Sequence, residues 1–235
     1  MVKIIRINRK YFILLILLIL ISNLYTLTFL SHTYLNIDDD SYISDQITTD
    51  PISLKSSSTI ESWNITKEET KDTTDFIANM PSVRPDGDLY IAQIAIDDDT
   101  TISTIPSGWT QIENLYYGGT GPVRFATYWK IGISEPATYT WSSSLPVLWI
   151  GAILRISRFD LNNPIHTSDV SIGKSAFPTA PSVNTMINNC LILRMFGADN
   201  DEIDPTYWPS GTTPIFQKDL GFNSIISAAA YHNQS

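Results

Sequence analysis

The chain has 235 residues, 43% of them hydrophobic, a formal net charge of −9 and a single cysteine. That is enough apolar material for one cored domain held together by packing, because one cysteine excludes an internal disulfide. An acidic surface of this kind repels phosphate backbones, so nucleic acid is not an expected partner.

The first element is the apolar run Tyr11 to Leu30, preceded by Lys3, Arg6, Arg9 and Lys10 and by no acid. A cationic flank stays on the cytoplasmic side of a membrane, so everything after the run is expected outside. Its strongest part, Phe12 to Ile21, has the length of a signal-peptide core, whereas the full twenty residues would cover about 30 Å as a helix. Residues 1–30 therefore read as a signal anchor or a cleaved signal peptide. No Ala-x-Ala-like site follows, Thr26-Leu27-Thr28 being the nearest, and this favours retention as a single-pass membrane protein over secretion. Without the four leading cations the remainder carries 11 cations against 24 acids, a net charge of −13.

Residues 31–50 form a polar stretch rich in Ser, Thr, Asp and Asn that reads as a tether, and residues 51–235 as one β domain. Two triplets, Asn64-Ile65-Thr66 and Asn233-Gln234-Ser235, have the form of glycan acceptors, so Asn64 and Asn233 are candidate glycosylation sites. From about residue 74 onward, short β-branched and aromatic runs alternate with Gly, Pro, Asn and Asp clusters. This is the spacing of an all-β antiparallel sandwich, jelly-roll or immunoglobulin-like. Val123 to Ile131 alternates, with Val123, Phe125, Trp129 and Ile131 on one side and Arg124 and Lys130 on the other, and predicts a half-buried strand. Asp88–Ile96, Leu148–Ser157 and Cys190–Ala198 are continuously apolar and predict central strands. Ala137–Ser142 and Asn223–Tyr231 predict shorter or flanking ones. Cys190 itself reads as a buried small hydrophobe. Turns are expected at Pro106-Ser107-Gly108, Gly118 to Pro122, Asn162-Asn163-Pro164 and Pro209-Ser210-Gly211.

Several of these pieces fall in a recognisable order. Gly87-Asp88-Leu89-Tyr90-Ile91-Ala92, Ile105-Pro106-Ser107-Gly108-Trp109-Thr110, Tyr128-Trp129-Lys130-Ile131 and Ser134-Glu135-Pro136-Ala137-Thr138-Tyr139-Thr140 are followed by Phe159 to Ile165 and Ala180 to Thr185. The series resembles an uncharacterised β-sandwich domain of phage tail-fibre and minor tail proteins and of bacterial and archaeal surface proteins. The resemblance implies a sandwich fold and an extracytoplasmic or virion habitat, and no catalytic activity. Ile131-Gly132-Ile133 departs from the small residues usual there, and the chain reaches Ala228-Ala229-Ala230-Tyr231 where the family generally continues into another hairpin.

Candidate chemistry is sparse. Asp38-Asp39-Asp40, Asp97-Asp98-Asp99 and the group Asp199, Asp201, Glu202 and Asp204 offer hard oxygen ligands, and Asp199, Asp201 and Asp204 are the best calcium set. None has the spacing of a calcium hand, so solvated loop charge outweighs a Ca2+ site and no cofactor is otherwise implied. Sugar rings stack on exposed aromatics. Tyr116 and Tyr117 beside the Gly-rich turn, and Tyr207 and Trp208 between Pro205 and Pro209, are the candidate platform, while Trp109, Trp129, Trp141 and Trp149 read as core. There is no nucleophile elbow and no zinc-protease motif, and no catalytic residue stands out. The leading expectation is a non-enzymatic binding or adhesion module that recognises carbohydrate or another surface polymer. A structural subunit of a virion, fibre or envelope, self-associating as a homo-oligomer, is the alternative, and a glycan hydrolase the third reading.

Overall fold

A computed structural model describes residues 58–68, 73–119, 121–173, 180–185, 187, 189–199, 208–221 and 225–234. The apolar run Tyr11 to Leu30 and the tether lie outside them, and no described helix is long and apolar enough to cross a membrane. The described residues are all-β and fall within one compact unit, Leu54–Ser235. Among the described residues there are eleven strands: β1 Thr59–Glu68, β2 Asp75–Asn79, β3 Leu89–Asp97, β4 Ile102–Thr104, β5 Thr110–Tyr117, β6 Val123–Ile131, β7 Thr138–Ser143, β8 Leu148–Ser157, β9 Leu191–Asp199, β10 Thr213–Asp219 and β11 Ile225–Asn233.

The strands make three antiparallel sheets, ordered β1-β8-β3-β6-β5, β2-β7-β4 and β10-β11-β9. Alternation along β3 shows how they stack. Tyr90, Ala92, Ile94 and Ile96 join Phe76, Ala78 and Trp141 of the β2-β7-β4 sheet in one core. Leu89 and Ile91 pack instead with Ile215, Phe216 and Ala229 of the β10-β11-β9 sheet. The five-stranded sheet is thus covered on both sides, which is why β3 is buried at eight consecutive positions.

This arrangement corrects several expectations. β6 is not half-buried: the side that carries Arg124 and Lys130 is roofed by the β2-β7-β4 sheet, and Lys130 is buried. β9 lies at a sheet edge rather than in the centre, whereas β7 and β11, expected to flank, are the middle strands of their sheets. β9 reads as central because its two sides meet different partners. Leu191, Leu193 and Met195 pack inward, and a Cβ on Gly197 would lie 2.4 Å from Phe125 of β6, so glycine sets how closely the two strands approach. Cys190 is half-buried, with its Sγ 3.4 Å from the Ile187 carbonyl. The expected turn at Pro106-Ser107-Gly108 forms, with Trp109 N donating to Pro106 O and Gly108 at φ +84°, which a glycine adopts without strain.

Candidate functional site

Two polar groupings stand at opposite ends of the central sheet. The first is buried. Lys130, at the end of β6, places its Nζ 2.7 Å from Glu135 Oε1 and donates to the Tyr139 hydroxyl at 2.5 Å. Tyr139 in turn donates to Glu135 Oε2 at 2.7 Å, and Ile133 N donates to Glu135 Oε1 at 2.9 Å. The Glu135 carboxylate is fully enclosed, so each oxygen needs these donors. Aromatic faces complete the shell, with Lys130 Nζ 4.7 Å from the Tyr139 ring centre and 5.9 Å from that of Trp109. Burial pushes the ammonium toward neutrality, but the hydrogen bonds to Glu135 and Tyr139 outweigh it and raise the Lys130 pKa. Trp109, Trp141 and Tyr139 pack edge-on around the pair, with Trp109 and Trp141 centres 5.3 Å apart. Three of the ordered motifs, those carrying Trp109, Lys130 and Glu135 with Tyr139, therefore converge on one enclosed ion pair. An arrangement this closed pins the β6–β7 turn to the core and leaves little surface for a ligand.

The second grouping is at the other end, where β3 ends, β5 ends and β6 begins. Tyr116 and Tyr117 belong to strand β5, not to a loop, and therefore point to opposite sides of the sheet. Tyr117 packs against the cluster of Ala95, Val123, Ile150 and Ile225. Tyr116 lies under the Arg124 guanidinium, 5.3 Å from ring centre to Cζ. Arg124 is itself fixed by donating to the Thr100 carbonyl at 2.5 Å and to Asn114 Oδ1 at 2.9 Å. Partial burial and the neighbouring Asp99 carboxylate, which accepts its hydroxyl, raise the Tyr116 pKa. Asp99 N is capped by Asp98 Oδ1 at 2.7 Å. The two tyrosines do not form a joint platform; Tyr116, Arg124, Asn114 and Asp99 form a half-exposed polar and aromatic group in their place. Arg124 and Asn114 carry no motif that marks them. The only sequence signal is their nearness to the Gly-rich turn, Gly118 to Pro122.

The same end receives Asp199. Gly121 has φ +87°, and a Cβ there would lie 2.1 Å from Asp199 Oδ2, so the turn after Tyr117 is closed down onto the end of β9. Asp201, Asp204 and Tyr207 lie outside the described residues. Trp208 is half-buried and leads into the turn in which Thr212 N donates to Pro209 O. Among the described residues no three His, Cys, Asp or Glu side chains are grouped to hold a metal ion. Asn64 sits within β1, where its Nδ2 donates to Met80 O at 3.3 Å, while Thr66 Oγ1 accepts from both Asn79 N and Asn79 Nδ2. This sequon ties β1 to β2 in the folded domain. Asn233, the last residue of β11, is exposed.

Compared with known proteins, the chain matches no family model, and no curated protein or solved structure is detectably similar to it.

Proposed function

We propose that the protein is a non-enzymatic extracytoplasmic β-sandwich module that captures a neutral or weakly basic carbohydrate polymer at the end of the central sheet. The observation that carries this reading is the Tyr116 group. A half-exposed ring braced by a cation, beside a carboxylate and an amide, offers a sugar both an apolar face to stack on and charged hydrogen-bond partners for its hydroxyls. The cationic flank of Tyr11 to Leu30 supports an N-terminus in the cytoplasm and a membrane-held domain outside, and the ordered motifs support kinship with tail-fibre and surface β-sandwich domains. Calcium at the Asp199 end would be a secondary feature of the same module, with Asp199 as its one described candidate ligand.

Immobilised Tyr116→Ala chain passed over a panel of polysaccharides gives the test. Retention of the unaltered chain on at least one polymer, lost in the variant while its melting temperature is kept, is the expected result. Equal retention of both would place the binding surface elsewhere. A second reading, a self-associating structural subunit, is favoured by the open edge of β9.

A further inference from the structure

Among the described strands, each sheet edge but one carries a feature that discourages strand addition. β1, β5 and β4 have register irregularities at Ile60/Ser62, Gln111/Glu113 and Ile102/Thr104, and β10 combines a bulge with Pro214. β2 has only five residues, and side chains of β1 hydrogen-bond to its end through Asn79 and Met80. β9 has none of these. It pairs with β11 at nine consecutive positions without a register break, contains no proline, and all nine residues are half-buried. β9 stands last in its sheet order, and its described main-chain partners are β11 and, at the Phe196 carbonyl, the Gln93 side chain. A long, regular, apolar edge is a template for another strand.

We infer that this edge is an interface with a second copy of the chain, β9 pairing antiparallel with β9 across a two-fold axis at Met195. A closed two-fold contact uses the same patch on both partners. That register sets Arg194 opposite Phe196 of the second copy, Leu191 opposite Asp199, Ile192 opposite Ala198 and Leu193 opposite Gly197, so like charges never face each other. The strand is also where two acidic molecules can approach. The chain carries −9 overall, but Leu191–Asp199 contains one cation and one acid. The product is a continuous six-stranded sheet in the order β10-β11-β9-β9-β11-β10, joined by about eight to ten main-chain hydrogen bonds, within the range of a stable interface. Phe196 is on the outer side of this sheet, opposite Ala228, and Arg194 beside it contacts His232 Nδ1 through Nη1.

This inference rests on the self-association reading alone, so a monomeric protein would leave the carbohydrate reading standing. Sedimentation equilibrium of the full chain in a mild detergent, which keeps Tyr11 to Leu30 from associating, is the experiment. A concentration-dependent dimer is expected. Phe196→Lys, which sets a cation opposite Arg194, should weaken it by about tenfold or more, and Phe196→Glu, which sets an anion there, should tighten it. Misfolding would move both variants the same way, whereas pairing moves them apart. If Phe196→Lys does not fold, hydrogen exchange on the unaltered chain decides. β9 amides that lose protection on dilution support the interface, and amides unprotected at every concentration overturn it. A strictly monomeric chain, or a dimer that Phe196→Lys and Phe196→Glu leave unchanged, also overturns it.

Discussion

The two sides of the central sheet are built from the same strands and solve packing in different ways. Toward β2-β7-β4 the layer is aromatic: Tyr90, Tyr128, Trp149, Trp141, Phe76 and Trp109, with Phe76 and Trp149 stacked at 5.4 Å. Toward β10-β11-β9 the buried side chains are mostly aliphatic and small, with Ile91, Ala95, Leu154, Ala229 and Ile225, Phe216 as the one buried ring, and a buried polar pin. There Gln93 Nε2 donates to Phe196 O, Ser227 Oγ and Ala228 O at 3.1, 2.7 and 3.0 Å. Large rings fill volume but bring polar atoms with them, whereas small side chains let the sheets approach and need only one amide to fix their register. The aromatic side accordingly holds a buried ion pair and the unpartnered Trp109, Trp141 and Trp149 Nε1 atoms, and the other side leaves Gln93 Oε1 unpartnered and has β9 as an edge strand.

The largest loss of stability should come from Glu135→Ala. Removing one partner of an enclosed ion pair strands the Lys130 ammonium and should cost about 3–5 kcal/mol in chemical denaturation. Cutting the pin on the other side is expected to cost less. Gln93→Leu leaves Ser227 without its partner between the sheets and should cost about 1–3 kcal/mol. If Gln93→Leu proved the more damaging, the aliphatic side would be the one that specifies the fold.

Alkali separates the sides without mutation. Tyr90 and Tyr128, both on the aromatic side, have pKa values pushed by burial from 10.0 to about 12. The fold therefore favours the neutral phenols, and their contribution is intact below pH 10 and lost as pH rises from 10 toward 12. Near-ultraviolet circular dichroism of the indoles should report loosening over that window, ahead of amide exposure in β11. Simultaneous loss would mean the two layers melt as one. The smallest effect is expected at the Tyr128 hydroxyl, which is enclosed and has no partner. Tyr128→Phe removes an unsatisfied group and should leave the melting temperature unchanged or slightly raised. A clear drop would show that the hydroxyl is hydrogen-bonded in solution.

How much of this was legible depends on whether the signal is local. β3, β6 and β8 are visible in the sequence because two-sided burial or alternation leaves a nine- or ten-residue pattern, and Leu148–Ser157 has the boundaries expected of it. β9 looked central because hydropathy registers apolar sides and cannot see which backbone edge is paired. β11 looked marginal because alanine is a weak strand signal, although Ala228, Ala229 and Ala230 are fully buried. Lys130 and Glu135 appeared only as letters in separate motifs, since their contact forms across a turn. Tyr116 and Tyr117 read as a pair in the sequence, and the structure separates them. Adjacency in sequence suggested one platform, whereas adjacent strand residues face opposite ways and the partners of Tyr116 come from β6, β5 and the loop after β3.

Isothermal titration of the full chain with the best-retained polysaccharide decides whether the Tyr116 end is the proposed carbohydrate-binding surface. Saturable binding is expected, weakened by Tyr116→Ala about tenfold or more, the share of a stacked ring, and unchanged by Ile77→Ala on the outer side of β2. Binding that is indifferent to Tyr116, or no binding to any polymer on the panel, would contradict that proposal.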